Sequence, residues 1–376
     1  MLADLFVSFL KLGLTAFGGP AMVAYIKDLA VEKKRWLDSK TFQDGVVIAQ
    51  AIPGATAMQV AAYVGFKTRG ILGGIASFTG FGLPAFLLML ILSYFYVKTH
   101  DLPEVISVFN GLQVVVISIV ANAFLSFARP LVKSKGEMLI GFFSFLLFWL
   151  KVSPFLIIFM CLVLSQLLFR DVSVYKPGNS KKINFIGLVC LIFVPLIGLF
   201  CLYFVDKTLF TISLTMIKID LFAFGGGYAS LPLMMHEFVD RLVWIDNKTF
   251  IDGIALGQVT PGPIVITATF VGYLLKGLLG ALIATISVFT PSFIIMALFC
   301  EFSDKMNQLK IFLKAKQGIL ASFSGLLLFV AIKSIVSLDW NLLKAMMAMV
   351  SFFALYRKVN LVYVVLISVL LSAFLF

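Results

Sequence analysis

Long apolar runs broken at short polar intervals set the pattern of this chain. The first runs from about Leu2 to Ile26, and others cover about Thr41–Phe66, Ile71–Val97 and Val105–Ala128. Two shorter runs, Met138–Leu150 and Val152–Phe169, are separated only by Lys151. A polar linker with Arg170, Lys176, Pro177-Gly178, Lys181 and Lys182 follows, then a lone apolar run, Ile183–Val205. The pattern then restarts. At about 20 residues per crossing, roughly ten such segments fit the 376 residues. Uninterrupted runs without period-two alternation exclude a β-barrel. The spacing predicts an all-α polytopic membrane protein.

Several runs are interrupted where a plain membrane helix has no use for a break. Leu12–Tyr25 carries Gly18-Gly19-Pro20 at its centre, and Leu221–Ala229 repeats the theme as Phe224-Gly225-Gly226-Gly227. Thr41–Phe66 contains Gln50-Ala-Ile-Pro53-Gly54, matched by Gln258-Val-Thr-Pro261-Gly262. Glycine opens backbone conformations closed to other residues, and proline removes a donor. In hydrocarbon, every freed N–H or C=O needs a partner, so broken helices survive only where protein or a wet cavity surrounds them. Paired interruptions at corresponding positions of two halves point to a transporter's binding site.

The matches extend across the chain. Trp36-Leu-Asp-Ser-Lys-Thr-Phe-Gln-Asp-Gly45 aligns with Trp244-Ile-Asp-Asn-Lys-Thr-Phe-Ile-Asp-Gly253, and Val64-Gly65, Gly70 and Pro84 align with Val271-Gly272, Gly277 and Pro291. Two repeats are therefore expected, residues 1–169 and 207–376, joined by residues 170–206 with one extra helix. If each repeat crosses an even number of times, that helix inverts the second one. With the first two segments of each repeat re-entrant, 20 basic residues fall on one side and 8 on the other, which places the richer side in the cytoplasm. An all-crossing arrangement is also inverted, with a weaker bias.

Composition changes little in this picture. The chain is 61% hydrophobic and 13% charged, against about 25% charged in soluble domains. A net charge of +12 sits in short loops, where it sets topology and meets anionic headgroups, and no nucleic-acid partner is expected. Trp36 is a candidate interface anchor. Asp4 and Lys11 interrupt the first run, so it reads as a membrane segment and not a cleavable signal. Cys161, Cys190, Cys201 and Cys300 lie in apolar segments without CxxC spacing and read as small packing residues. With His100 and His236 the only histidines, no metal site or cofactor is expected.

Few ionisable groups lie within the apolar runs. Lys11 and Lys218 each stand seven residues before the first glycine of a break. A lysine inside a membrane segment costs roughly 2.5–3.5 kcal/mol on insertion scales and faces a cavity or a partner. The pair can supply positive charge to an anion; alternatively each snorkels to an interface, with Asp220 an available partner for Lys218. Half-helices that begin after Gly19-Pro20, Pro53-Gly54, Gly226-Gly227 and Pro261-Gly262-Pro263 present unpaired N–H groups and a positive dipole end, which suits an oxyanion. The plainer alternative is close helix packing, the reading preferred for Gly70, Gly73-Gly74, Gly277 and Gly280. Thr15, Gln50, Thr56, Gln59, Gln258, Thr260 and Thr267 cluster about the breaks, as anion donors or as caps; Phe17 and Phe224, in the breaks themselves, are counted with them as lining a binding site. Asp44 and Asp252 are proton-coupling candidates; the alternative is N-terminal capping, paired with Lys40 or Lys248.

At Thr15-Ala-Phe-Gly-Gly-Pro20 and Gln50-Ala-Ile-Pro-Gly54, with their second-half copies, the sequence resembles the chromate ion transporter family, in its long two-domain form. The resemblance covers essentially the whole chain. It implies a cytoplasmic-membrane antiporter that exports the dianion chromate, driven by proton entry, with sulfate as a close analogue; a homodimer is left open. The chain departs at Gly227, opposite Pro20, and at Ala55, opposite Pro263. Transport of sulfate or another small oxyanion, in either direction, is the alternative within the same class. A membrane-embedded enzyme or scaffold is the alternative from another class, and no nucleophile–base pair or Walker motif favours it.

Overall fold

The computed structural model describes residues 1–16, 20–100, 102–131, 134–169, 185–306 and 310–375. Phe17, Gly18 and Gly19 of the first break, and the polar linker from Arg170 to Lys182, lie outside them. Among the described residues the secondary structure is helical throughout, apart from one isolated bridge between Pro53 and Phe224. This is the expected solution in hydrocarbon, where a helix satisfies its own backbone. The fold is all-α, with two inverted repeats joined by a single linker helix.

The chain forms two compact units. One unites Met1–Leu90, Val172–Ser230 and Thr260–Leu313. It holds α1 (Leu2–Thr15), α2 (Pro20–Lys27), α3 (Ser39–Ala51), most of α4 (Thr56–Thr99), α8 (Phe185–Val205), α9 (Lys207–Phe222) and α12 (Thr267–Met306). The other contains α5 (Pro103–Leu131), α6 (Lys135–Trp149), α7 (Pro154–Leu168), nearly all of α10 (Ser230–Met235), α11 (Asn247–Val259), most of α13 (Lys310–Val336), α14 (Leu342–Tyr356) and α15 (Leu361–Leu375).

α4 and α12 fold back on themselves. Arg69 and Gly70 leave helical geometry at φ −144° and +60°, and Lys276 and Gly277 do the same at −144° and +57°. In α4, Gly65 abuts Gly73 and the Ser77 hydroxyl donates to Ala61 O at 2.7 Å. In α12, Gly272 abuts Gly280 and Thr269 meets Thr285 at 2.7 Å. Both are tight helical hairpins, and Gly73, Gly74 and Gly280 line their seams as expected. A Cβ on Gly70 or Gly277, also expected to pack, would meet nothing within 4 Å; these two instead form the turns, where the positive φ calls for glycine.

Among the described residues five helices are long and apolar enough to cross a membrane, two of them these hairpin-bearing ones. α1 and α3, at 14 and 13 residues, reach only about 20 Å each, short of the roughly 30 Å of a bilayer core. The first two sequence segments are therefore broken and not continuous spans. α6 and α7, 15 residues each, are also short, and turn about Lys151 at φ +61°; α14 and α15 repeat this about Lys358 at +64°. α8 is mostly exposed along its apolar length, as a lipid-facing helix would be. Cys190 and Cys201 on it are exposed, which corrects their reading as packing residues; Cys161 and Cys300 are buried. Trp36 stacks on Phe9 with ring centroids 6.2 Å apart.

Candidate functional site

The breaks are built from chain ends that cannot satisfy themselves. α1 ends at Ala16 in extended geometry, and α9 ends at Ala223. α3 ends at Ile52, whose extended backbone leads into Pro53 and into Gly54 at φ +110°. The second-repeat equivalent passes through Pro261 and through Gly262 at φ +108°. Each glycine adopts a backbone that a side chain would strain. The two repeats then complete one another: Gly54 N–H donates to Ala223 O at 2.9 Å, and Gly262 N–H donates to Ala16 O at 3.0 Å. These bonds are repeat-equivalent. Each break supplies the partner that the other lacks, which is what a non-helical backbone at membrane depth requires.

Around this crossing the first unit gathers several of the residues expected from sequence. Pro53 bridges to Phe224, and Gly225 and Gly226 continue at φ +97° and +94°. A Cβ on Gly226 would sit 3.2 Å from Thr56 Oγ1, so the break before α10 passes close to the start of α4. Pro20 opens α2. The first-turn amides of α4, and of the 3₁₀ turn Ile264–Ile266 that leads into α12, begin here, with the positive dipole end that favours an anion. Thr267 caps that turn by donating to Ile264 O at 2.9 Å.

Other candidates lie differently. Lys11 is exposed and Lys218 half-buried. Thr15 is exposed, and its hydroxyl donates to Lys11 O and Leu12 O in its own helix. Gln50 is exposed at the end of α3, whereas Gln258 is buried in α11 with its Nε2 unpartnered. The helix caps are Asp38, which accepts from Thr41 N–H at 2.9 Å, and Asp246, which accepts from Thr249 N–H at 2.7 Å. The capping alternative for Asp44 and Asp252 therefore does not hold. Backbone and hydroxyl donors of Thr41 keep the Asp38 carboxyl below its ordinary range. Asp44 is buried in α3. Asp252, in the second unit, accepts from Gln113 Nε2 at 2.6 Å and from Tyr96 Oη at 3.0 Å.

Sequence reasoning missed Asp220 as a site residue. It is 1% exposed, and its Oδ2 accepts from Ser292 N–H at 2.7 Å, the amide next to the helix-loosening Pro291. Its Oδ1 has no hydrogen-bond partner. Gln59 is fully buried beside it; its Nε2 donates to Pro53 O, and its Oε1 is unpartnered. A Cβ on Gly54 would lie 3.0 Å from both Asp220 Oδ1 and Gln59 Nε2, so carboxylate and amide share one small volume. The signal in the sequence was the repeat itself: the first-repeat counterpart of Asp220 is Gly13, which backs onto Phe81 O and the Pro84 ring. Among the described residues no group of His, Cys, Asp or Glu could hold a metal ion.

The chain is 46% identical over 375 residues to an uncharacterized transporter of Methanocaldococcus jannaschii, covering 98% of this chain and 93% of the relative. It is 29% identical over 359 residues to a chromate transport protein of Cupriavidus metallidurans, covering 91% and 86%, and 28% identical over 346 residues to one of Pseudomonas aeruginosa, covering 86% and 79%. No solved structure matches. The chromate transporter family matches twice, over residues 3–166 and 210–373, one copy per repeat, and the chain belongs to that family.

Proposed function

We propose that this protein is a secondary active transporter of the cytoplasmic membrane that exports chromate, coupled to proton influx. The observation that carries the reading is the reciprocal pairing of the breaks, Gly54 N–H to Ala223 O and Gly262 N–H to Ala16 O, which holds non-helical backbone inside an apolar unit. Helix starts beside that pairing offer N–H groups to a tetrahedral dianion without a dense cluster of charge. Lys11 and Lys218 add positive charge at corresponding places in the two repeats, and Asp44 and Asp252 are candidate carboxylates for the proton. Membership of the family, and similarity to the chromate transport proteins of Cupriavidus and Pseudomonas, support chromate as cargo.

Sulfate shares chromate's charge and shape, and the relative at 46% identity has no assigned substrate, so sulfate is the second reading. Everted vesicles given labelled chromate or sulfate, with and without an imposed proton gradient, decide between them. Chromate accumulation that collapses with the gradient supports coupled export; accumulation of sulfate alone replaces the cargo, and flux indifferent to the gradient removes the coupling. Lys11→Ala and Lys218→Ala should slow flux by about tenfold or more, a loss of about 1.4 kcal/mol. Lys333→Ala, which breaks a pair with Asp240 at 2.5 Å away from the breaks, should slow it far less. Equal flux in all three removes both lysines from the mechanism.

A further inference from the structure

The geometry points to Asp220 as a proton-binding site at the crossing of the two breaks. Two acceptor oxygens without partners, Asp220 Oδ1 and Gln59 Oε1, are sealed from solvent in the same unit, on side chains that meet at Gly54. A carboxylate removed from water with one oxygen unsatisfied is costly while it carries its charge. A proton on Oδ1 removes that cost and converts an orphan acceptor into a donor. Oδ2 keeps its bond from Ser292 N–H in either state.

The surroundings favour a proton over a permanent ion pair. The elements packed most extensively on α9 are α12 and α8. α8 contributes no charged side chain. On α12, Lys276 is engaged with Asp206 at 2.8 Å, at the opposite end of α9 from Asp220. Lys218 precedes Asp220 by two residues and so projects from a different face of α9. The break from Ile52 to Gln59 offers only neutral groups. Asp252 differs: both its oxygens are partnered, Oδ1 by Gln113 and Oδ2 by Tyr96.

The site exists in one repeat only, because Gly13 stands where Asp220 would be in the other. The assignment rests on the transport reading only for its consequence: each proton bound or released changes the charge beside the helix starts where the dianion would sit. The proton arrives from water on one face and leaves to water on the other, and no bond in the cargo changes.

Infrared difference spectra of the full-length protein in lipid nanodiscs, recorded from about pH 5 to pH 9, test this. The wild type should show a pH-dependent C=O band of a neutral carboxylic acid. That band should be lost in Asp220→Asn, kept in Asp252→Asn, and shifted in Gln59→Leu, which leaves the acid in place but changes its neighbour. The Gln59→Leu shift stands as the test if Asp220→Asn fails to elute as a monodisperse species. A band that survives in Asp220→Asn, or that Gln59→Leu leaves unmoved, overturns the assignment. So does the lack of any such band in a wild type that sodium, but not potassium, stabilises against heat, since that outcome makes this a sodium site. Added chromate should change the band; a band that answers pH but neither chromate nor sulfate supports the proton site and overturns the cargo.

Discussion

At the scale of single residues, the crossing depends on two glycines that tolerate replacement unequally. Gly54 and Gly262 share φ near +110°, so a side chain at either strains the backbone by about 1–3 kcal/mol. A Cβ on Gly54 would also overlap the Ser292 side chain, whereas one on Gly262 meets only Ala85 Cβ at 2.9 Å. Gly54→Ala should therefore lower the melting temperature of the detergent-solubilised protein more than Gly262→Ala does. Gly198→Ala, with nothing within 4 Å in α8, should hold or raise it, since alanine suits a helix better by about 0.5–1 kcal/mol. Equal losses at Gly54 and Gly262 would mean that Ser292 does not press on the break. Proline and glycine made both breaks legible in the sequence. Asp220 was not legible, because a lone aspartate near a lysine suggests a pair; only its mismatch with Gly13 distinguishes it. Nor could the sequence give Asp252 its partners, since Tyr96 and Gln113 lie in the other repeat.

At the scale of elements, the N-terminus of α9 is tied to the tip of the α12 hairpin. Asp206 accepts from Thr208 N–H at 2.8 Å and Leu209 N–H at 3.2 Å through Oδ1, and from Lys276 Nζ at 2.8 Å through Oδ2. The lysine, then the backbone donors, hold its carboxyl below the ordinary aspartate value of 3.8. A group depressed in the folded state stabilises it fully above its unfolded value and ceases to do so as pH falls through the lower, folded one. Asp206→Asn should thus melt below the wild type at neutral pH, and the gap should narrow below about pH 4. A gap constant from pH 7 to pH 3 would assign the effect to the caps alone, because asparagine also caps. The hairpins show where local pattern misleads about element length. The apolar run Thr41–Phe66 joins α3 to the first arm of α4, and the next run, from Ile71, is the second arm; the non-helical pair Arg69–Gly70, repeated at Lys276–Gly277, marks the reversal.

At the scale of the whole molecule, inversion makes a prediction that no local contact supplies. The hairpin tips at Arg69–Gly70 and Lys276–Gly277 have near-identical backbone geometry and lie at equivalent positions of the two repeats. One extra crossing, α8, separates the repeats, so the tips should face opposite sides of the membrane. Charge leans the same way: in the re-entrant arrangement the first tip lies on the side with 20 basic residues and the second on the side with 8. In a chain whose four cysteines are replaced by alanine, a membrane-impermeant maleimide should label Arg69→Cys in everted vesicles and not in intact cells. Lys276→Cys should show the reverse. Labelling of both tips from one side would make the repeats parallel, and the reciprocal bonds between Gly54 and Ala223 and between Gly262 and Ala16 would then lose their two-fold rationale. Labelling of neither would return 56–99 and 267–306 to single buried spans, since a residue midway along such a span lies in hydrocarbon, beyond the reach of a polar reagent.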